Sequence, residues 1–188
     1  LVGSEMCIRD RVRSMYPTME DIRKIAAKGQ YKRVPVCREL YADRYTPVEM
    51  MRTLREASRH CYLLESASQT EVWGRYSFLG YEPVMEITCT DGIMKIRRTE
   101  GADKEEITKQ VAHPGDTLRE ILKEYKSPVM ENMPPFTGGL VGYFSYDYGR
   151  KLQGVPSGEK DLVKIPDAVL TFYDVYIIED LSLIHISE

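Results

Sequence analysis

Residues Val84–Arg97 (VMEITCTDGIMKIR) carry the feature that most constrains the fold. Asp91-Gly92 divides two alternating runs and suits a type I′ turn, in which both central residues need positive φ. A two-residue loop fixes the register, pairing Cys89 with Met94 and Ile87 with Ile96. Both pairs, with Met85 beside them, then share one face, while Thr88 and Lys95 share the other. This predicts an antiparallel hairpin in a sheet that is apolar on one side and polar on the other.

The flanking segments fill in a mixed chain. Thr18 followed by Asp21 is a capping-box-like start, Met19, Ile22, Ile25 and Ala26 follow at helical spacing, and Gly29 stops the helix. Lys32–Arg38 reads as an edge strand, because Pro35 removes a ladder donor. Thr46-Pro47 opens a second helix that ends near Ser58. His60–Ser66 reads as a buried strand and Arg75–Gly80 as another. Thr99–Gly115 is charged and reads as a solvated loop. Leu118, Ile121, Leu122 and Tyr125 give a third helix capped by Asp116 or Thr117. Lys126–Pro135 is a proline-rich connector, Phe136–Asp147 a Gly-rich strand, Tyr148–Ile165 a loop and Ala168–Asp180 one last strand. The pattern predicts an α+β fold, mostly antiparallel β-sheet with flanking helices, and shows no repeat or domain boundary.

The two ends limit how much of the 188-residue chain enters the fold. Leu181–Glu188 (LSLIHISE) can be encoded by DNA whose opposite strand, read one base on, encodes Ser4–Arg11 (SEMCIRDR). That DNA resembles the inverted end of a transposase-type sequencing adapter. Residues 1–11 and 181–188 are therefore expected to be adapter-derived and non-native. Met15 is the expected initiator, and the native sequence is expected to continue past Asp180. The four cysteines then become three, Cys37, Cys61 and Cys89, without CxxC spacing. Neither a zinc site nor a disulfide framework is supported, and Cys61 and Cys89 read as small buried hydrophobes. A net charge of −3 argues against nucleic-acid binding, and no apolar run reaches the ~18 residues of a membrane span. With no signal peptide after Met15, a cytoplasmic location is expected.

Few residues advertise chemistry. Gly138-Gly139-Leu140-Val141-Gly142 fits neither GxGxxG nor GxxxxGK[ST], and Pro134-Pro135 stands where a strand should precede it. Glycines that let another backbone approach closely in a sheet are the better reading. Leu64-Glu65-Ser66 puts a carboxylate and a hydroxyl at the end of an apolar run. Together they suit the ammonium of an amino acid. They equally suit a strand end facing water, which residue types alone favour. Arg75 suits an anion or a pairing with Glu65 or Glu71, and Trp73 suits core or interface. His60 and His113 have no sequence partner. No triad, dyad or carboxylate pair is specific enough to name a catalytic residue or a metal ligand.

Four segments in order carry a resemblance: PVCREL (Pro35–Leu40), YLLES (Tyr62–Ser66), WGRYSFLG (Trp73–Gly80) and PPFTGGLVGYFSYDY (Pro134–Tyr148). In order and spacing they resemble the N-terminal region of anthranilate synthase component I, in the chorismate-utilising enzyme fold. The opening MYPTMEDIRKIAAKGQYKRVPV also looks like the start of bacterial members. The resemblance covers Met15 to about Tyr148 and extends less clearly to Asp180. It implies that 15–180 is the N-terminal domain of such an enzyme, truncated at its C-terminal end. The implied whole enzyme is a lyase of tryptophan biosynthesis. It converts chorismate and ammonia from glutamine to anthranilate and pyruvate with Mg²⁺.

The resemblance places the magnesium ligands and catalytic residues in a half that this chain lacks, so the fragment is expected to be inactive alone. It implies a glutamine amidotransferase subunit (component II), chorismate, and L-tryptophan as feedback inhibitor, with no nucleic acid and no membrane. It assigns tryptophan binding to Leu63, Leu64, Glu65 and Ser66, with Glu65 facing the ammonium and Ser66 adding a hydroxyl hydrogen bond. Aminodeoxychorismate synthase component I, of folate synthesis, shares the GRYS and GG-containing segments; the full LLES favours anthranilate synthase. A non-catalytic amino-acid-binding domain is the rival from another class.

Overall fold

The computed structural model describes residues 15–40, 45–65, 75–99, 105–155 and 165–181. Ser66, Glu71, Trp73 and both expected adapter segments, apart from Leu181, lie outside these residues. In chain order the elements are α1 (Met19–Ala27), α2 (Pro47–Ala57), β1 (Cys61–Leu64), β2 (Tyr76–Tyr81), β3 (Met85–Thr90) and β4 (Ile93–Arg98). They continue with β5 (Glu105–Gln110), α3 (Pro114–Glu124), β6 (Leu140–Phe144), α4 (Tyr146–Leu152), β7 (Ala168–Phe172) and β8 (Tyr176–Asp180). The fold is α+β with two antiparallel sheets, as the sequence predicts. No helix among the described residues is long and apolar enough to cross a membrane.

The chain divides into two compact units, a boundary the sequence does not announce: Leu1–Thr46 with Glu120–Thr137, and Pro47–Arg119 with Gly138–Glu188. In the first, Thr18 caps α1. Its hydroxyl accepts from the Asp21 amide at 3.2 Å, and the Asp21 carboxylate accepts from the Thr18 amide at 3.3 Å. Lys28 and Gly29 end the helix, Gly29 at φ +64°. The edge strand expected over Lys32–Arg38 reduces to one bridge, in which Tyr16 and Cys37 exchange amide bonds of 2.9 and 2.7 Å. Pro35 explains the failure, since it has no amide to extend a ladder.

The second unit holds both sheets. The five-stranded sheet runs β5-β4-β3-β7-β6. The hairpin forms as predicted, with Asp91 and Gly92 at φ +49° and +78° and with Ile87↔Ile96 and Cys89↔Met94 in register. Its apolar face continues across β7 through Cys89↔Ala168, Ile87↔Leu170 and Met85↔Phe172. Met85, Ile87 and Cys89 are fully buried there, and Met94, Ile96, Ala168, Leu170 and Phe172 nearly so. Burying each large side chain of this set contributes ~1.5–3 kcal/mol. One row reads Ile107, Ile96, Ile87, Leu170 and Gly142. At Gly142, φ is +157° and a Cβ would collide with the Val169 carbonyl oxygen. The glycine-rich stretch thus serves close backbone approach, not phosphate binding.

A polar latch holds the hairpin turn. The Asp91 amide donates to Asp167 Oδ2 at 2.7 Å, and Lys151 Nζ from α4 bridges Asp167 Oδ1 (2.8 Å) and Asp91 Oδ1 (3.0 Å). The two carboxylates raise the Lys151 ammonium to about 12. Ser145 caps α4 by accepting from the Tyr148 amide at 3.1 Å.

Other expectations need correction. Part of the expected loop over Thr99–Gly115 is strand β5, whose nearly all-exposed, charged side chains hide the alternation that a half-buried strand shows. Helix α3 begins at Pro114, a turn before the expected caps Asp116 and Thr117, because proline suits the first helical position. The strand expected over Phe136–Asp147 spans only Leu140–Phe144, and α4 occupies part of the expected loop after it. The single final strand is two, β7 and β8, which break at Tyr173–Val175 and join different sheets.

Candidate functional site

The three-stranded sheet, β1-β2-β8, carries the residues that the sequence singled out. β1 pairs with β2 through Leu63↔Leu79 and Leu64↔Phe78, so the two leucines emerge on opposite faces. Leu63 is half-buried, in the same row as Leu79 and Ile177. Leu64 shares its row with Phe78 and Ile178 and is 47% exposed. The strand expected to be buried is therefore half-buried, with Leu64 and Glu65 open to solvent. Cys61 is likewise half-buried, whereas Cys89 is fully buried as expected.

One residue past β1, the same register puts Glu65 opposite Ser77, and Ser77 pairs with Glu179 on β8. Alternation places this row on the Leu63 face. Glu65 is exposed, Ser77 is fully buried and Glu179 is 8% exposed. Neither Ser77 Oγ nor Glu179 Oε2 has a hydrogen-bond partner among the described residues. Burial first, and then the like charge of Glu65, pushes the Glu179 carboxyl above its ordinary value.

The opposite face is aromatic. Gly80 lies under the Tyr62 ring, where a Cβ would collide with Tyr62 Cε1, so glycine there admits the tyrosine. Tyr62 meets Tyr173 edge-on, with ring centroids 5.0 Å apart. The Tyr176 hydroxyl donates to the Tyr173 carbonyl at 2.5 Å and accepts from the Gly139 amide at 3.3 Å. The Tyr62 hydroxyl is buried without a hydrogen-bond partner among the described residues, and burial pushes its pKa well up.

Arg75 pairs with a carboxylate other than Glu65, and Glu71 lies outside the described residues. It forms a forked pair with Asp180, Nε to Oδ1 at 3.0 Å and Nη2 to Oδ2 at 2.6 Å. The Leu181 amide donates to the Arg75 carbonyl at 2.8 Å, so β2 and β8 are closed at this end by both backbone and side chain. His60 Nε2 lies 3.5 Å from Glu86 Oε1, away from the row. Of the four expected binding residues, Leu63, Leu64 and Glu65 are described, and Ser66 lies outside the described residues.

Ser77 and Glu179 were missed. Their signal was present: each is a polar residue in an apolar strand, at a position that alternation sends to the buried face. The row offers carboxylate and hydroxyl oxygens, a chemistry that accepts hydrogen bonds from a cation. It contains no nucleophile–base pair. No group of three or more His, Cys, Asp or Glu among the described residues is placed to hold a metal ion.

The chain is 33% identical over 165 residues to anthranilate synthase component 1 of Acetivibrio thermocellus, covering 88% of this chain and 32% of that protein. It is 35% identical over 131 residues to the protein of that name from Cereibacter sphaeroides, covering 70% and 26%. With that from Aquifex aeolicus it shares 31% identity over 166 residues, covering 87% and 32%. A solved structure of anthranilate synthase component I from Streptococcus pneumoniae matches 77% of this chain and 29% of its own, at 24% identity and a TM-score of 0.44. No protein-family model matches. The chain spans about a third of the length of the curated relatives it matches. It is related, over most of its own length, to a part of anthranilate synthase component I.

Proposed function

We propose that this chain is the tryptophan-sensing, N-terminal part of an anthranilate synthase component I. In this reading the whole protein is a cytoplasmic lyase that converts chorismate and ammonia to anthranilate and pyruvate. The ammonia comes from a glutamine amidotransferase subunit (component II). Magnesium and the catalytic groups are supplied outside this chain, which is inactive alone. The observation that supports the sensing role is the junction at the end of β1. There an exposed carboxylate, Glu65, stands beside two leucines on opposite faces and next to a buried polar row. An amino acid with an apolar side chain needs an anionic partner for its ammonium and an apolar surface for the rest. Feedback then requires that tryptophan bind an inactive arrangement better than the active one.

In the complete enzyme, Glu65→Ala and Ser66→Ala should each raise the tryptophan concentration that halves the rate by about tenfold, a loss of ~1.4 kcal/mol in binding. Steady-state assays of anthranilate formation across a tryptophan series check this. Unchanged inhibition in both variants would remove the assignment.

A further inference from the structure

We propose that the Asp91-Gly92 turn is a site of spontaneous isoaspartate formation and that Lys151 of α4 is the residue that guards it. The proposal does not depend on the tryptophan reading above.

The dipeptide carries the chemistry. The Gly92 nitrogen can attack Asp91 Cγ, because glycine has no side chain to crowd the approach. A Cγ–N bond forms, a Cγ–O bond and the N–H bond break, and one water leaves. The product is a five-membered succinimide. Water then adds to either of its two carbonyls. Opening at Cγ restores aspartate. Opening at the main-chain carbonyl leaves the chain running through Cγ, which is isoaspartate. Water is the only co-reactant.

The structure exposes this pair and also restrains it. The Asp91 side chain is 83% exposed, so water reaches it freely. Three contacts hold the turn. The Asp91 amide donates to Asp167 Oδ2 at 2.7 Å, and the Val111 amide donates to the Gly92 carbonyl at 2.8 Å. Both of these fix the main chain. The third, from Lys151 Nζ to Asp91 Oδ1 at 3.0 Å, fixes the carboxylate itself. It holds Oδ1 against α4, and Cγ has to leave that position to meet the Gly92 nitrogen. Lys151 is suited to the task because Asp167, 6% exposed, anchors the same ammonium at 2.8 Å. An isolated surface ion pair is a weak tether, since two long side chains must be ordered to form it. A lysine already fixed by a buried carboxylate is a stiffer one.

The guard protects more than one residue. Isoaspartate adds a main-chain carbon inside a loop of only two residues and moves the carboxylate away from Lys151. The pairs Thr90↔Ile93, Cys89↔Met94 and Ile87↔Ile96 all take their register from that loop. The modification therefore strains the apolar face of the larger sheet at its tightest turn.

The test is peptide mapping of the full chain after prolonged incubation at neutral pH, with electron-transfer fragmentation to tell isoaspartate from aspartate at position 91. The chain unfolded in urea sets the unguarded rate, and the folded parent should react far more slowly. Lys151→Met keeps the aliphatic stem without the charge and should accelerate the reaction about fivefold, the size of effect expected of a partly exposed ion pair. Lys151→Arg retains a cation and should return the rate toward that of the parent. Salt screens the pair without any substitution and should accelerate the parent's reaction in the same direction. Ile87→Val weakens the sheet but leaves the latch intact, so it should match the parent. Absence of isoaspartate from the unfolded chain overturns the site. A folded parent as fast as the unfolded chain, or an unchanged rate in Lys151→Met or at high salt, overturns the guard. Equal acceleration in Ile87→Val overturns it too, because lost stability then explains the effect.

Discussion

The five-stranded and three-stranded sheets are built from the same alternating strands, yet they treat polar groups in opposite ways. In the larger sheet, Ile87, Cys89 and Met85 are sealed between neighbours of their own kind, and its buried carboxylate, Asp167, is held by Lys151 and by the Asp91 amide. In the smaller sheet, Leu79 is as deeply buried, but beside it Ser77 Oγ and Glu179 Oε2 lack hydrogen-bond partners among the described residues. The apolar face of the larger sheet is closed around Met85, Ile87 and Cys89, and its one buried orphan among the described residues, Arg98 Nε, sits at the end of β4. The smaller sheet keeps two such atoms side by side in its central row. Position in the topology accounts for part of this. The larger sheet contains a two-residue hairpin, whereas β2 pairs with β1 across an eleven-residue connection and with β8 from the far end of the chain.

The contrast can be broken at several points. The largest effect should come from Ile87→Ala, which opens a cavity at a fully buried position in the larger sheet and should cost ~3–4 kcal/mol in urea unfolding. A loss under ~1 kcal/mol would show that this sheet is not the stable element. Asp167→Ala removes the acceptor of the turn amide and the partner of Lys151, and should cost ~2 kcal/mol. Lys151 binds its proton more tightly when folded, so its contribution is complete below the ordinary lysine pKa of 10.5 and is lost as pH rises through about 12. The deficit of Asp167→Ala should therefore be flat between pH 6 and 9. A deficit that varies across that window would assign the latch to another group.

Substitutions in the smaller sheet should run the other way. Ser77→Ala deletes a buried hydroxyl without a hydrogen-bond partner among the described residues and should stabilise the free protein by ~1 kcal/mol, measured by the same unfolding titration. Destabilisation would mean that the hydroxyl is satisfied. The smallest effect is a pH dependence at Glu179. Its folded pKa is raised, so the folded state holds the proton more tightly, and its penalty is absent below the unfolded value and grows as pH rises. Glu179→Gln should thus gain stability over the parent at pH 7 and lose that advantage at pH 3. An advantage equal at both pH values would remove the burial argument.

The same contrast explains what was legible in the residues. Asp91-Gly92 fixed its hairpin to the residue because both register and face follow from one local turn. Thr18 with Asp21 did the same for α1. β5 was missed because its side chains are nearly all exposed, so no apolar period exists to detect. The split of Ala168–Asp180 was missed because both halves are apolar, and only pairing with different partners separates them. At the site, Glu65 was visible as a carboxylate ending an apolar run. Ser77 and Glu179 were not, because their meaning depends on each other across 102 residues of chain and on a burial that single residue types do not encode.

The break between β7 and β8 has a mechanical consequence. Tyr173–Val175 is all that separates a strand of one sheet from a strand of the other, and the Tyr176 hydroxyl clasps the Tyr173 carbonyl across it. The linkage therefore has almost no slack. Glu179 is therefore tied by a few bonds of main chain to Phe172 and to β7, whose backbone lies so close to Gly142 that no Cβ fits between them. The two sheets thus share one short, taut piece of main chain.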